Sequence, residues 1–184
     1  MSELPTFRYH TNPEQTGSIV DRPVNCVCCG ERRDYTYTGP VYAVADLDDQ
    51  ICPWCIASGA AHEKFGATFT DADALADGLN PPHTPIRTDA IDEVTKRTPG
   101  FNGWQQERWL VHCDEPCAFL GPAGRTEIAS YSSGDLLESL RTDVAMTNDA
   151  FESYLARLDK DREPTAYVFQ CLHCSRLLGY SDCA

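Results

Sequence analysis

Cys26-Val-Cys28-Cys29 and, 22 residues later, Cys52-Pro-Trp-Cys55 decide how this chain is built. A Cys-x₂-Cys turn holds two sulfurs on one side of a tight loop, at the separation a tetrahedral ion requires. Folding brings in the second turn and closes the coordination sphere. The arrangement recurs further along, where Cys113-Asp-Glu-Pro-Cys117 is followed after a 53-residue gap by Cys171-Leu-His-Cys174. The spacing predicts two structural Cys₄ sites, each holding one Zn²⁺. Cys26, Cys29, Cys52 and Cys55 form the first, and Cys113, Cys117, Cys171 and Cys174 the second. The x₃ spacing of Cys113 and Cys117 is less usual. His112 and His173 flank the second set as substitute ligands, although such neighbours more often pack or hydrogen-bond around a site than enter it. Cys28 could replace Cys26 only by pairing with the adjacent Cys29. Neither Cys28 nor Cys183 is given a role.

Ten cysteines in 184 residues would suit a secreted disulfide scaffold if the compartment were oxidising. The first ten residues lack the apolar core of a secretion signal, and no apolar run approaches the roughly 18–20 residues that span a bilayer. A cytoplasmic protein with reduced thiols is expected, which favours metal over disulfides. The length suits one domain of good size or two small ones, and 42% hydrophobic residues support a real core.

The formal net charge is −13, from 28 acidic and 15 basic side chains. Two Cys₄ zinc sites would add four more negative charges, since each sets four thiolates against one dication. Zinc modules that bind nucleic acid carry a basic face, because phosphate neutralisation supplies most of the affinity. No basic run occurs here, so a basic protein partner is expected and nucleic acid and membrane are not. Asp46, Asp48 and Asp49 crowd one turn, and Asp71, Asp73 and Asp77 form another cluster. Tyr35, Tyr37, Trp54 and Trp104 are candidate anchors for such a partner. The competing reading is compositional: 12 Arg against 3 Lys, and 17 Asp against 11 Glu, also fit an acidity that serves solubility alone.

The coarse organisation is α+β, with zinc-ribbon-like antiparallel strands around the two sites and several short helices. Residues 1–77 read as an N-terminal unit, 78–100 as a connecting segment and 101–184 as a C-terminal unit, the alternative being one compact domain. Tyr35–Tyr37 and Val41–Val44 suggest a hairpin about Gly39-Pro40, and 56–65 and 89–96 suggest helices. The stretch 104–111 looks strand-like, and Cys117–Gly121 extended. Leu136, Leu137, Leu140 and Val144 form one helical stripe, and Phe151, Tyr154, Leu155 and Leu158 another, with Asn148 or Asp149 as N-cap. Tyr167–Phe169 and Leu177–Tyr180 read as strands flanking the last knuckle.

Catalytic motifs fail on inspection. Cys52-Pro-Trp-Cys55 lacks the βαβ context of a thioredoxin-like pair, and His62-Glu63 lacks a second histidine. The zinc-deaminase pattern is absent. His10, His62 and His112 show no catalytic spacing, so an enzyme assembled from them ranks last.

Leu4-Pro-Thr-Phe-Arg-Tyr-His10, Gly39-Pro-Val-Tyr-Ala43, Cys52-Pro-Trp-Cys-Ile56, Thr98-Pro-Gly100, Gly103-Trp-Gln-Gln106, Trp109-Leu-Val-His-Cys113 and Cys171-Leu-His-Cys174 with Leu178-Gly-Tyr180 resemble the CbrC-like family of bacterial proteins. That resemblance implies a link to tolerance of DNase-type colicins, and no reaction. The expected function is a non-enzymatic zinc protein of toxin-tolerance or immunity type. It would meet a basic nuclease toxin through its acidic surface. The alternative is a zinc-stabilised adaptor or stress-regulatory protein acting on a host component.

Overall fold

The computed structural model describes residues 3–75 and 86–184, and of Asn148 the backbone alone. Residues 78–85 of the expected connecting segment, and Asp77, lie outside these. The protein is α+β, with short antiparallel sheets and several short helices.

The N-terminal part is built from strand pairs of two residues each. Strand β1 (Ile19–Val20) pairs with β4 (Thr36–Tyr37), and β2 (Val24–Asn25) with β3 (Arg32–Arg33) across the first cysteine knuckle. The hairpin expected about Gly39-Pro40 does not form. Tyr37 pairs back to Ile19, while Tyr42 bridges Thr68. The reason is packing: the Tyr37 hydroxyl donates to Pro40 O at 2.7 Å and accepts from Gly100 N at 3.1 Å, so the ring fills the bend. Helix α1 (Pro53–Ala57) and helix α2 (Ala60–Phe65) replace the single helix expected over 56–65. Gly59, in left-handed conformation at φ 82°, separates them. The core beneath contains Ile19, Tyr37, Ile51, Ile56 and Phe69 together with Cys26, Cys52 and Cys55.

Helix α3 (Thr88–Arg97) forms where a helix over 89–96 was expected, within the 78–100 segment. It buries Ala90 and Val94 in a second core, made largely of aromatic rings. Phe101 stacks on Phe119 at 3.9 Å between centroids, with Trp109, Tyr167 and Phe169 around them. Strand-like structure over 104–111 reduces to β5 (Val111–His112), which pairs with β6 (Glu115–Pro116). Trp109 is instead anchored by its backbone N–H to Ala74 O and by its indole to Cys117 O.

The main sheet has the order β7 (Ala118–Ala123), β8 (Thr165–Gln170), β9 (Leu177–Asp182), all antiparallel. Helices α4 (Arg125–Tyr131), α5 (Gly134–Val144) and α6 (Asn148–Leu155) precede β8 and build the third core, to which Leu136, Leu140, Phe151 and Leu158 contribute. Thr147 occupies the α6 N-cap position, one residue before the expected cap. Helix α5 lies close on β9. A Cβ at Gly179 would meet Leu136 Cδ1 at 2.9 Å, and the Ser139 hydroxyl donates to Gly179 O at 2.8 Å.

The N-terminal segment ties these cores together. His10 is fully buried beside Phe119, with Nδ1 2.8 Å from Pro99 O and Nε2 2.7 Å from Thr16 Oγ1. Burial lowers its pKa from 6.5 to about 4, against the opposing pull of the Pro99 carbonyl. The unfolded chain therefore takes up this proton near pH 6.5 and the folded chain only near 4. The contribution of neutral His10 is complete above pH 6.5 and lost as pH falls toward 4, about 3 kcal/mol in full. Between pH 7 and 5, urea unfolding of the wild type should lose about 2 kcal/mol more than that of His10→Gln. Parallel pH slopes for the two proteins would refute this.

Candidate metal centres

The two Cys-x₂-Cys knuckles that follow strands share one backbone design. In the first, Gly30 at φ 73° donates to Cys26 O at 2.8 Å, and Cys26 N donates to Glu31 O at 2.9 Å. In the last, Ser175 at φ 61° donates to Cys171 O at 3.0 Å, and Cys171 N to Arg176 O at 2.9 Å. A left-handed residue just past each knuckle turns the chain back, leaving both sulfurs on the inner side of the loop.

The first centre forms as the spacing predicts. Cys26, Cys29, Cys52 and Cys55 offer sulfurs that all lie within 4.8 Å of one another. Cys52 sits at the N-cap position of α1 with Pro53 behind it, so Cys55 falls in the first helical turn. The backbone N–H of Cys52 donates to Cys26 Sγ at 3.4 Å. Cys26 Sγ and Cys55 Sγ are 3.8 Å apart. Zn–S bonds of about 2.3 Å in a tetrahedron put sulfurs about 3.8 Å apart, so this separation fits such an ion. Lys64 Nζ, reaching from α2, donates to Val27 O and Cys28 O and holds the knuckle against the helix.

The second centre departs from expectation in one ligand. His112, Cys113, Cys171 and Cys174 form the group, and Cys117 is not in it. Strands β5 and β6 join through a two-residue turn in which Cys113 and Asp114 both have positive φ, 53° and 60°. This turn puts Cys113 at its tip and His112 beside it on the strand. Cys117 lies four residues past the tip, after β6, where its backbone bonds Leu110 and its thiol is fully buried in the aromatic core. His112 Nδ1 is 3.2 Å from Cys113 Sγ and 3.5 Å from Cys174 Sγ, and Cys113 Sγ is 3.9 Å from Cys174 Sγ. Exchanging a thiolate for a neutral imidazole makes this centre one unit less negative when filled. It is also more exposed: Cys113 and Cys174 are at the surface, whereas only Cys29 is in the first centre.

His173 does not join the group. Its Nε2 meets Glu115 Oε2, and Glu115 Oε1 also receives the Tyr9 hydroxyl and the Arg8 guanidinium. Burial pushes Glu115 up, but Tyr9, His173 and Arg8 more than offset it, and the carboxyl ends below its usual range. Sequence reading missed this buttress, because Tyr9 and Glu115 are 106 residues apart. Glu107 forms a second such link. It is buried and accepts from Tyr42, from Gln106 and from the backbone of Asp71.

The hydrogen bond from Cys52 brings Cys26 down to about 4, and that same bond, with burial, pushes Cys52 up. Burial, then the bond to Cys28, pushes Cys55 up. In the second centre the Arg176 N–H lowers Cys174, while burial raises Cys113 to about 11. A bound dication would favour the thiolate form of the cysteines that hold it.

The other candidates scatter. His62 Nδ1 bonds Ala67 O, so His10, His62 and His112 sit in three different settings. Tyr37 is core, and Trp104 spends its indole N–H on Thr165. Trp54 and Tyr35 pack together beside the first centre with Arg33 over the Trp54 ring. Asp46 accepts from Asp48 N, and Asp49 pairs with Arg22 at 2.9 Å. No helix among the described residues is long and apolar enough to cross a membrane.

The chain matches the model of an uncharacterised protein family, UPF0167, over residues 4–183. It is 48% identical over 186 residues to UPF0167 proteins of Mycobacterium bovis and of Mycobacterium tuberculosis, covering 99% of this chain and 95% of each relative. A UPF0167 protein of Pseudomonas aeruginosa is 40% identical over 174 residues, covering 94% of this chain and 93% of that one. No solved structure matches.

Proposed function

The chain belongs to the UPF0167 family, and we propose that it works there as a zinc-stabilised binding protein rather than an enzyme. Closure carries this reading. Each centre is completed by four side chains of the chain itself, which leaves no position for water or substrate. Cys26, Cys29, Cys52 and Cys55 would hold one ion, and His112, Cys113, Cys171 and Cys174 the other. Four thiolates, or three with an imidazole, suit Zn²⁺. Its contribution there is to tie together short elements that could not hold alone.

The binding face is acidic. A net charge of −13 favours a basic protein, and Asp46, Asp48 and Asp49 lie just before the first centre in the chain. Tyr35 and Trp54 supply aromatic surface nearby. The resemblance to the CbrC-like family adds a partner class, a DNase-type toxin whose cleft is basic for its own substrate. Survival assays test this. Cells expressing the chain should survive DNase bacteriocins and not pore-forming ones, and Cys52→Ser should abolish the protection. Binding to a purified DNase domain should weaken steeply with salt, mainly through a slower on-rate. Protection against both toxin types, or against neither, would sink direct inhibition and favour an adaptor acting on a host component.

A further inference from the structure

We propose that Cys28 is an oxidation site that opens the first metal centre: a hydroperoxide joins Cys28 to Cys55 as a disulfide and the ion leaves. The inference rests on the reading above that this centre holds zinc. Five cysteines converge here, and four suffice to close the site. Cys28, the fifth, packs against the same core and shares a hydrogen bond with Cys55.

Reach selects Cys28 among the five. Cys26, Cys52 and Cys55 are buried. Cys29 is exposed, but it is a ligand and its sulfur is bonded by the Arg33 guanidinium, which stacks on Trp54. Charge already shared with a metal and a guanidinium makes a sulfur a poorer nucleophile. Cys28 alone is partly exposed, outside the ligand set and packed against the core that holds the ligand sulfurs, beside Cys55. The second centre has no equivalent, since Cys117 is sealed in the aromatic core.

The chemistry balances with a hydroperoxide as the one oxidant. Cys28 gives its proton to solvent and attacks the distal oxygen of the peroxide as the thiolate. The O–O bond breaks, and Cys28 sulfenic acid forms while the departing alkoxide (or hydroxide) takes up a proton to give an alcohol (or water). The Cys55 thiolate leaves the metal and attacks the sulfenic sulfur. An S–S bond forms, the S–O bond breaks, and hydroxide departs to take a proton from solvent. The two sulfurs together give up two electrons. The ion keeps three ligands, one of them exposed, and dissociates.

The test uses the full chain with zinc loaded, in a Cys183→Ser background that removes the exposed C-terminal thiol. Metal content is measured first, then zinc released by hydrogen peroxide is followed with a chromophoric chelator, and disulfides are mapped by mass spectrometry. One of two zinc ions should be released with a Cys28–Cys55 link, and dithiothreitol with zinc should reverse it. Cys28→Ser and Cys28→Ala should each keep two ions at rest and slow the release about tenfold. Equal release from the variants, or a disulfide that omits Cys28, overturns this inference and leaves the proposed function standing. A first centre that carries no metal before oxidation overturns both.

Discussion

Cys52→Ser is expected to leave one bound metal in place of two and to unfold the N-terminal core. Cys52 is completely buried, opens α1, and shares its cluster with Ile51, Ile56, Tyr37 and Phe69. Little else holds that region. Its two strand pairs have two residues per strand, and α1 has five residues. Hairpins that short and helices under a dozen residues are marginal in water. A structural zinc ion contributes on the order of 10 kcal/mol to the folding of a small metal module. That is comparable with the whole stability of a typical domain, about 5–15 kcal/mol. Losing one of four thiolates, and burying a hydroxyl in its place, should forfeit most of it. Metal analysis and near-ultraviolet circular dichroism would read the change, and a strong chelator should reproduce it in the wild type. Cys28→Ser should retain both ions and the native spectrum. Two ions and an unchanged melting temperature in Cys52→Ser would end the structural reading of this centre.

The legible parts of the fold were those where sequence spacing maps directly onto geometry. Cys-x₂-Cys forces two sulfurs to one side of a loop, and the first centre assembled as the spacing required. The stripe of Leu136, Leu137, Leu140 and Val144 became α5, which buries Leu136 and Leu140 but leaves Leu137 exposed, and the runs at Tyr167 and Leu177 became β8 and β9. Misreadings arose where long-range packing settles the outcome. Tyr35–Tyr37 has strong strand character, but strand character does not choose a partner. Tyr37 pairs with Ile19 because its hydroxyl is claimed by Pro40 and Gly100. The run 104–111 carries two Trp and a Leu, yet Trp109 and Leu110 pack into the aromatic core from a chain that is mostly irregular, while Trp104 stays half exposed. Helix α4 lacks an apolar stripe of any length, burying only Ile128. The buttress of Arg8, Tyr9, Glu115 and His173 has no local signature at all.

The second centre is decided by His112→Ala and Cys117→Ser. His112→Ala should reduce the protein from two bound ions to one, and Cys117→Ser should keep two. The spacing Cys-x₃-Cys invites the opposite result, since four thiolates from two knuckles is the simpler pattern. It fails because Cys113-Asp114 is a two-residue hairpin turn made of residues in left-handed conformation. Asn-Gly or Asp-Gly would have announced such a turn, whereas Cys-Asp does not. The turn sets the register: His112 faces Glu115 across the hairpin, and the chain beyond Pro116 carries Cys117 into the core under Trp109. Cys117 then acts as a small buried apolar group, its thiol pushed up by burial first and by the neighbouring cysteines second. Replacing it with serine buries a hydroxyl and should cost about 1–3 kcal/mol without touching metal content. Removing His112 leaves Cys113, Cys171 and Cys174, two of them exposed, with a vacant position that water can enter. X-ray absorption of the two-zinc protein supplies an independent count, seven sulfurs and one nitrogen over both ions. Eight sulfurs, or loss of an ion from Cys117→Ser with retention in His112→Ala, would restore Cys117 as the fourth ligand and dismiss His112.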